Sequence, residues 1–185
     1  MSAATIDPAG ETRSPKGRDL WLRAGQDLLR AGGVRAIKVR SLADHLGLTT
    51  GSFYHHFSGM PDFLEHLASS FAADQRLERL LPGATADPRD RLVHMAELGR
   101  LDGSRSLDRA MRDWAMTNRV AAEAVRAHDA AMLTFVAHAF EQMGHDVEGA
   151  RLRAHLLVVT AVARIASTWP DEPGMFELVL TALAG

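Results

Sequence analysis

Apolar residues recur along this chain at the three- and four-residue spacing that is typical of amphipathic helices. The first such stripe predicts a helix that begins near Asp19 and ends at Gly32-Gly33. Its predicted buried face comprises Leu20, Ala24, Leu28 and Ala31. No segment alternates as a strand does, and no internal repeat is visible. The pattern therefore predicts an all-α protein of about nine helices.

Two short helices joined by a glycine turn are predicted next, the first from about Arg40 to Leu46 and the second over 49–57. Gly47 suits the turn because glycine adopts positive φ without Cβ strain, and Thr49 or Thr50 can cap the second helix. The inner face comprises Leu42, Leu46, Leu48, Phe53 and Phe57, with Leu48 filling the space beneath the turn. The outer face is left with Thr49, Thr50, Gly51, Ser52, Tyr54 and His55.

The remaining chain keeps the helical spacing. A stripe from Phe63 to Phe71 predicts a linking helix to about residue 81. The segment Ala154 to Ala166 is apolar on nearly every face, which predicts burial all round, at a bundle centre or in a subunit interface. We therefore expect a mobile arm over 1–18, a three-helix unit over 19–66 and a helical domain over 67–185.

Charge is distributed unevenly along the chain, although the formal net charge is only −2. Residues 1–60 hold eight cations against five acids, whereas the rest holds 13 cations and 18 acids. A basic N-terminal third and an acidic remainder indicate an anionic partner for the N-terminal third, with chance asymmetry as the alternative.

Two short helices around a glycine turn form a helix-turn-helix, whose second helix can enter the major groove of DNA.

The run from Val39 to Phe57, VRSLADHLGLTTGSFYHHF, resembles the DNA-binding signature of the tetracycline-repressor-like (TetR) family. Its most specific part is the Gly-Ser-Phe-Tyr-His-His-Phe segment, and the likeness covers roughly residues 19–68. The resemblance implies a homodimeric repressor that binds a palindromic operator and is released by a small-molecule effector. The resemblance also implies a C-terminal helical ligand-binding and dimerisation bundle.

The same resemblance places particular side chains at double-stranded DNA. Tyr54 would reach a phosphate, Ser52 a phosphate or base edge, and Arg40 the backbone, aided by the positive end of its helix. The full set of predicted DNA-binding residues is Lys38, Arg40, Thr49, Thr50, Gly51, Ser52, Tyr54 and His55.

One departure from the family pattern concerns charge. Family members commonly carry lysines in the recognition helix and at the start of the fourth helix, but no Lys or Arg occurs from Ser41 to Gln75. The phosphate charge would then be met by Lys38, Arg40, the first helix and the arm residues Arg13, Lys16 and Arg18. We expect a modest salt dependence of DNA binding.

Two further sites are predicted in the C-terminal part. An effector pocket for an apolar or amphipathic molecule would be lined by Met95, Met111, Trp114, Met132 and Phe135, because methionine suits adaptable apolar walls. A homodimer interface would comprise Leu156, Val159, Val162, Ala163, Phe176 and Leu180.

Several other functions are disfavoured by the sequence. The chain has no cysteine, which excludes a disulfide, a Cys-based zinc site and a cysteine nucleophile. The histidines never recur at the i+3 or i+4 spacing of helical metal ligands, so we expect neither metal nor cofactor. No nucleophile elbow, phosphate loop or dinucleotide motif supports an enzyme. No signal peptide or membrane span is recognised, and a cytoplasmic location is expected. An open alternative is a helix-turn-helix scaffold that acts as a protein-interaction module with little DNA binding.

Overall fold

The computed structural model describes residues 15–72, 87–101, 104–166 and 174–185. Within these residues it contains nine α-helices, which confirms the predicted all-α class and approximate helix number. A single 3₁₀ turn, Val34–Ala36, follows the first helix. The helices are α1 (Pro15–Gly32), α2 (Val39–Leu46), α3 (Thr50–Tyr54), α4 (Met60–Ala72), α5 (Pro88–Leu101), α6 (Ser104–Ala115), α7 (Arg119–Gln142), α8 (Val147–Ala166) and α9 (Met175–Ala184).

Helix α1 differs from its prediction in both start and buried face. It begins at Pro15, four residues before Asp19, and proline is well tolerated in a first helical turn. Leu20 is 47% exposed, whereas Trp21 is 1% exposed. The buried side of α1 is therefore rotated relative to the prediction. The bulky indole of Trp21, and not Leu20, packs edge-on against Phe53, with 5.5 Å between the ring centroids.

An aromatic core holds α1 to α4 together. Phe53, Phe57 and Phe63 are each buried almost completely, and their ring centroids lie between 4.9 and 5.6 Å apart. Helix α4 contributes the predicted stripe through Phe63, Leu67 and Phe71, although its predicted extension towards residue 81 lies outside the described residues. This core fixes the position of the short α3, which is too short to be stable alone.

The same core continues into the C-terminal helices. Leu107, Met111 and Trp114 of α6 belong to the cluster that contains Phe53 and Phe63. On α7, His128 stacks on Phe71 of α4 with 4.6 Å between ring centroids. The packed cluster therefore crosses the expected division between 19–66 and 67–185.

A second cluster lies among α5, α7, α8 and α9. Its buried members include Leu92, Val136, Phe140, Leu157 and Leu180. Gly144 adopts a φ of 99° in the turn after α7, a conformation that suits glycine at the end of a helix. Helices α7 and α8 thus form an antiparallel pair whose inner faces are apolar.

An ion cluster joins α6 to α7. Arg112 donates two hydrogen bonds to Asp129, at 2.6 and 3.0 Å, and one to Asp108 at 3.0 Å. Burial disfavours the charged guanidinium, but the hydrogen bonds from Arg112 to Asp129 and Asp108 outweigh that effect and raise the pKa of Arg112. Asp108 is only 7% exposed, and the hydrogen bond from Arg112 offsets the cost of burying its carboxyl group.

Candidate nucleic-acid interface

Gly47 produces the sharp turn between α2 and α3. Its backbone is left-handed, with φ 65° and ψ 28°, and its N–H donates to the carbonyls of Ala43 and Asp44. The N–H of Leu48 also donates to the Ala43 carbonyl at 2.9 Å. These bonds satisfy carbonyls at the end of α2 and redirect the chain within two residues.

Thr49 caps the N-terminus of α3, as the sequence predicted for this residue or Thr50. Its hydroxyl oxygen accepts the backbone N–H of Ser52 at 3.3 Å and lies 3.1 Å from the Ser52 hydroxyl oxygen. The cap replaces a hydrogen bond that the first helical turn cannot make internally.

Helix α3 has one buried and one exposed side. Phe53 is fully buried, whereas the ring of Tyr54 is 60% exposed and meets Phe53 edge-on. Thr50, Gly51 and His55 are also exposed. The outward side of this helix is therefore polar, small and unobstructed, which is the arrangement that groove entry requires.

Two predicted phosphate ligands stand at the start of α2. Lys38 is the N-cap residue and is exposed, and the Arg40 side chain is 89% exposed. Arg40 meets Asp44 at 3.9 Å, a surface pair that contributes little stability and leaves the guanidinium accessible. Phosphate contact by either residue stays a prediction.

The expectation for Leu48 was wrong. Its side chain is 41% exposed and does not fill the space under the turn. The buried side is already occupied by Leu42, Phe53 and Phe57, which are almost completely enclosed. Leu48 consequently adds an apolar side chain to the exposed end of the turn.

The start of α1 is held by contacts of Arg18 with Phe57 and His66, which the sequence did not reveal. Arg18, which was expected in the mobile arm, stacks over Phe57 at 5.0 Å and donates to Nε2 of His66 at 2.7 Å. His66 Nδ1 in turn donates to the backbone carbonyl of Asp62 at 2.8 Å. Arg18 is therefore occupied by contacts within the folded chain. Arg13 and the Lys16 side chain lie outside the described residues.

The Asp62 carboxylate completes this anchor. It accepts the backbone N–H of Ser58 at 2.8 Å. That hydrogen bond, reinforced by the charge of Arg18, lowers the pKa of Asp62 below its ordinary value. The loop that follows α3 is thus tied to α4.

The five predicted effector-pocket residues do not form one group. Met111 and Trp114 belong to the core that also holds the aromatic residues of α3 and α4. Met95, Met132 and Phe135 are partly buried around the second cluster. The pocket stays a prediction, and the residues that could share one wall are the last three.

The predicted dimer-interface residues also divide by exposure. Leu156 is 49% exposed and Val159 63%, whereas Leu180 is fully buried within the chain. Ala163 is exposed, and Val162 and Phe176 are partly buried. Within one chain, the segment Ala154 to Ala166 of α8 is therefore buried on only part of its surface.

Two other findings concern the described part of the chain alone. In residues 15–72, 87–101, 104–166 and 174–185, no three His, Asp or Glu side chains converge as metal ligands would. Within the same ranges, no helix has the length and apolarity needed to cross a bilayer.

Known proteins share both the sequence signature and the fold. The family model of bacterial regulatory proteins, tetR family, matches residues 22–67. The HTH-type transcriptional repressor KstR2 of Mycobacterium tuberculosis (strain H37Rv) is 36% identical over 86 residues, which cover 45% of this chain and 42% of that protein. KstR2 of Rhodococcus jostii (strain RHA1) is 34% identical over 71 residues, or 38% of this chain and 35% of that protein. The aligned region spans less than half the length of these curated relatives.

Solved structures resemble the chain over almost its whole length. A transcriptional regulator from Rhodococcus sp. Rha1 gives a TM-score of 0.68 at 22% identity, with 90% of this chain and 93% of that chain covered. A TetR transcriptional regulator from Legionella pneumophila gives 0.67 at 16% identity, with 95% and 96% covered. At these identities the likeness establishes the fold. The matched family and the KstR2 relatives are described as regulators, in agreement with the expectation that the chain is not an enzyme.

Proposed function

Because residues 22–67 match the family model of bacterial regulatory proteins, tetR family, we propose that the chain is a homodimeric transcriptional repressor. It binds a palindromic operator through α3 and leaves the operator when a small effector binds the C-terminal domain. The observation that carries this proposal is the exposed outer side of α3, held by a fully buried Phe53.

Selection from random duplex DNA with the full-length protein tests operator binding. We expect an enriched palindrome whose half-sites are separated by about one or more helical turns. The Tyr54→Ala variant should bind that palindrome more weakly without a change in thermal unfolding, because the ring is 60% exposed. A folded protein that enriches no sequence at low salt would favour the interaction-module alternative, which the missing cations between Ser41 and Gln75 support.

Dimerisation is proposed to occur through α8 and α9. Leu152, Leu156 and Val159 are exposed at i, i+4 and i+7 of α8, and Leu178 is 66% exposed on α9. Exposed apolar side chains of this kind are stabilised when a second copy covers them.

Light scattering tests the dimer. We expect the unmodified chain to be a dimer at micromolar concentration and Leu156→Asp to be a monomer. Leu20→Asp is the control, because Leu20 is similarly exposed at 47% but lies on α1. A monomeric unmodified chain would contradict the proposal.

Effector release is proposed to act by population shift. An effector that prefers a dimer with unsuitable α3 separation lowers the operator-bound fraction in proportion to its differential affinity. We assign the effector to the side that contains Met95, Met132 and Phe135, since these side chains are only partly buried. Contact between Phe71 and His128 offers a path from α7 to α4.

Competition at the operator tests this assignment. Apolar and amphipathic probes, beginning with decanoate, are titrated into the protein–operator complex. Met132→Ala should shift the midpoint of release, whereas Met111→Ala, in the other cluster, should change stability instead. The opposite pattern would relocate the effector to the core shared with α3.

A further inference from the structure

The exposed end of the turn before α3 presents apolar groups where recognition helices meet base edges. We call Leu48, Thr49 and Thr50 the turn surface. Leu48 is 41% exposed, and both threonines are exposed. Residues at the N-terminal end of a recognition helix are those that contact bases.

The turn surface lacks the side chains that read purines. Guanine is read mainly by Arg or Lys, and adenine by Asn or Gln, through paired hydrogen bonds. None of these four residue types occurs from Ser41 to Asp74. His55 could donate a hydrogen bond, but it is the C-cap of α3, at the opposite end of the helix.

One hydroxyl and one N–H of the turn surface are engaged within the protein. The Thr49 hydroxyl accepts from the Ser52 N–H and lies 3.1 Å from the Ser52 hydroxyl oxygen. The Leu48 N–H is bonded to the Ala43 carbonyl. The Leu48 side chain and the two threonine methyl groups are the apolar groups of this surface, and such groups discriminate bases by apolar contact.

Thymine is the base that displays an apolar group in the major groove, its C5-methyl. We propose that the turn surface reads thymine C5-methyl groups within each operator half-site. This inference rests on the proposed function, in which α3 enters the major groove. Gly51, which follows the turn surface, lets the start of the helix approach the bases closely.

Base analogues in the selected operator test the inference directly. Each thymine of a half-site is replaced in turn by deoxyuridine, which removes the methyl group and retains every hydrogen-bonding group. We expect a loss of affinity of about fourfold for each contacted methyl, from the transfer free energy of one buried carbon. Replacement of each guanine by 7-deazaguanine should change the affinity by less than about twofold, because the turn surface has no Arg or Lys that would form the paired hydrogen bond with guanine.

Matched variants assign the contact to the turn surface. Leu48→Ala and Thr50→Ser should each abolish the difference between thymine and deoxyuridine at one operator position. Leu20→Ala should keep that difference, because Leu20 is an equally exposed leucine on α1. Thermal unfolding verifies that all three variants are folded.

The possible failures are distinguishable. An operator that is bound equally well with deoxyuridine at every position overturns this inference and leaves the proposed repressor intact. A larger loss from 7-deazaguanine than from deoxyuridine overturns it in the same way. If no sequence is enriched at all, the proposed function fails, and thymine recognition fails with it.

Discussion

Gly51 occupies the second position of α3, on its exposed side. A Cβ at this position would lie 3.6 Å from the Thr49 hydroxyl oxygen, an ordinary van der Waals distance. Gly51→Ala should therefore preserve the fold and raise stability by up to about 1 kcal/mol, since alanine favours helices. Operator affinity should nevertheless fall, because the methyl group would separate the helix from the bases. Thermal unfolding and fluorescence anisotropy measure the two effects, and unchanged affinity would place the start of α3 away from DNA.

Because of Asp62, the stability of the first four helices depends on pH in the acid range. The pKa of Asp62 is lowered by the Ser58 N–H, so the carboxylate contributes stability at neutral pH that is lost as the pH falls through the lowered pKa. Asp62→Asn should be less stable than the unmodified chain at pH 7, and the difference should narrow at pH 3. Thermal unfolding at both pH values measures this. An equal difference at both would show that charge is unimportant there.

Helices α1 and α4 approach each other through a glycine. A Cβ on Gly25 would lie 2.6 Å from Phe63 Cζ and 3.2 Å from Leu67 Cδ1, and both side chains are buried. Because neither can move into open space, Gly25→Ala should destabilise the protein by about 1–3 kcal/mol. Denaturant unfolding measures the loss, with Gly51→Ala as the matched control. Stability equal to that of the unmodified chain would mean that α4 shifts freely on α1.

A rescue experiment tests how the ion cluster between α6 and α7 contributes to stability. Arg112→Met removes the partner of the buried Asp108 and should cost about 3 kcal/mol. Adding Asp108→Asn and Asp129→Asn should recover part of that loss, because no buried charge then remains unpaired. Denaturant unfolding of the single and triple variants provides the comparison. A triple variant less stable than Arg112→Met would contradict this account.

Local chemistry made α2, the turn and the start of α3 predictable from sequence, whereas the helix predicted over 49–57 ends at Tyr54. Gly47 and Thr49 act within a few residues of themselves, so their roles depend little on the rest of the fold. The buried face of α1 was not predictable in this way. A short apolar stripe fits two helix phases, and the choice of Trp21 over Leu20 depends on Phe53, which lies in another helix.

The C-terminal sites depend still more on tertiary packing. Asp108 and Arg112 are four residues apart, a visible helical pair, but Asp129 joins them from a different helix. Met111 and Met132 fit their stripes equally well, yet they face different clusters. Spacing shows that a helix has an apolar side and does not identify the helix that this side contacts.

The whole molecule should bind DNA with a shallow salt dependence. Only Lys38 and Arg40 are exposed cations at the start of α2, and the sequence from Ser41 to Gln75 contains no Lys or Arg. Few phosphate contacts release few counterions, so the log–log slope of affinity against salt should be shallower than about −8 per dimer. Anisotropy titrations at several salt concentrations measure the slope. A steeper value would require cations beyond those described.

The core shared by α3, α4, α6 and α7 limits how the helix-turn-helix could be transferred to another protein. The DNA-binding and effector-binding parts of regulators are often treated as exchangeable modules. In this chain the core that holds α1 to α4 also includes Met111 and Trp114, which belong to α6. In a graft of residues 15–72 onto another protein, the apolar side chains that now pack in one cluster with α6 would face a surface of different shape. New operator specificity is therefore better sought by altering single residues of the turn surface than by exchanging the domain.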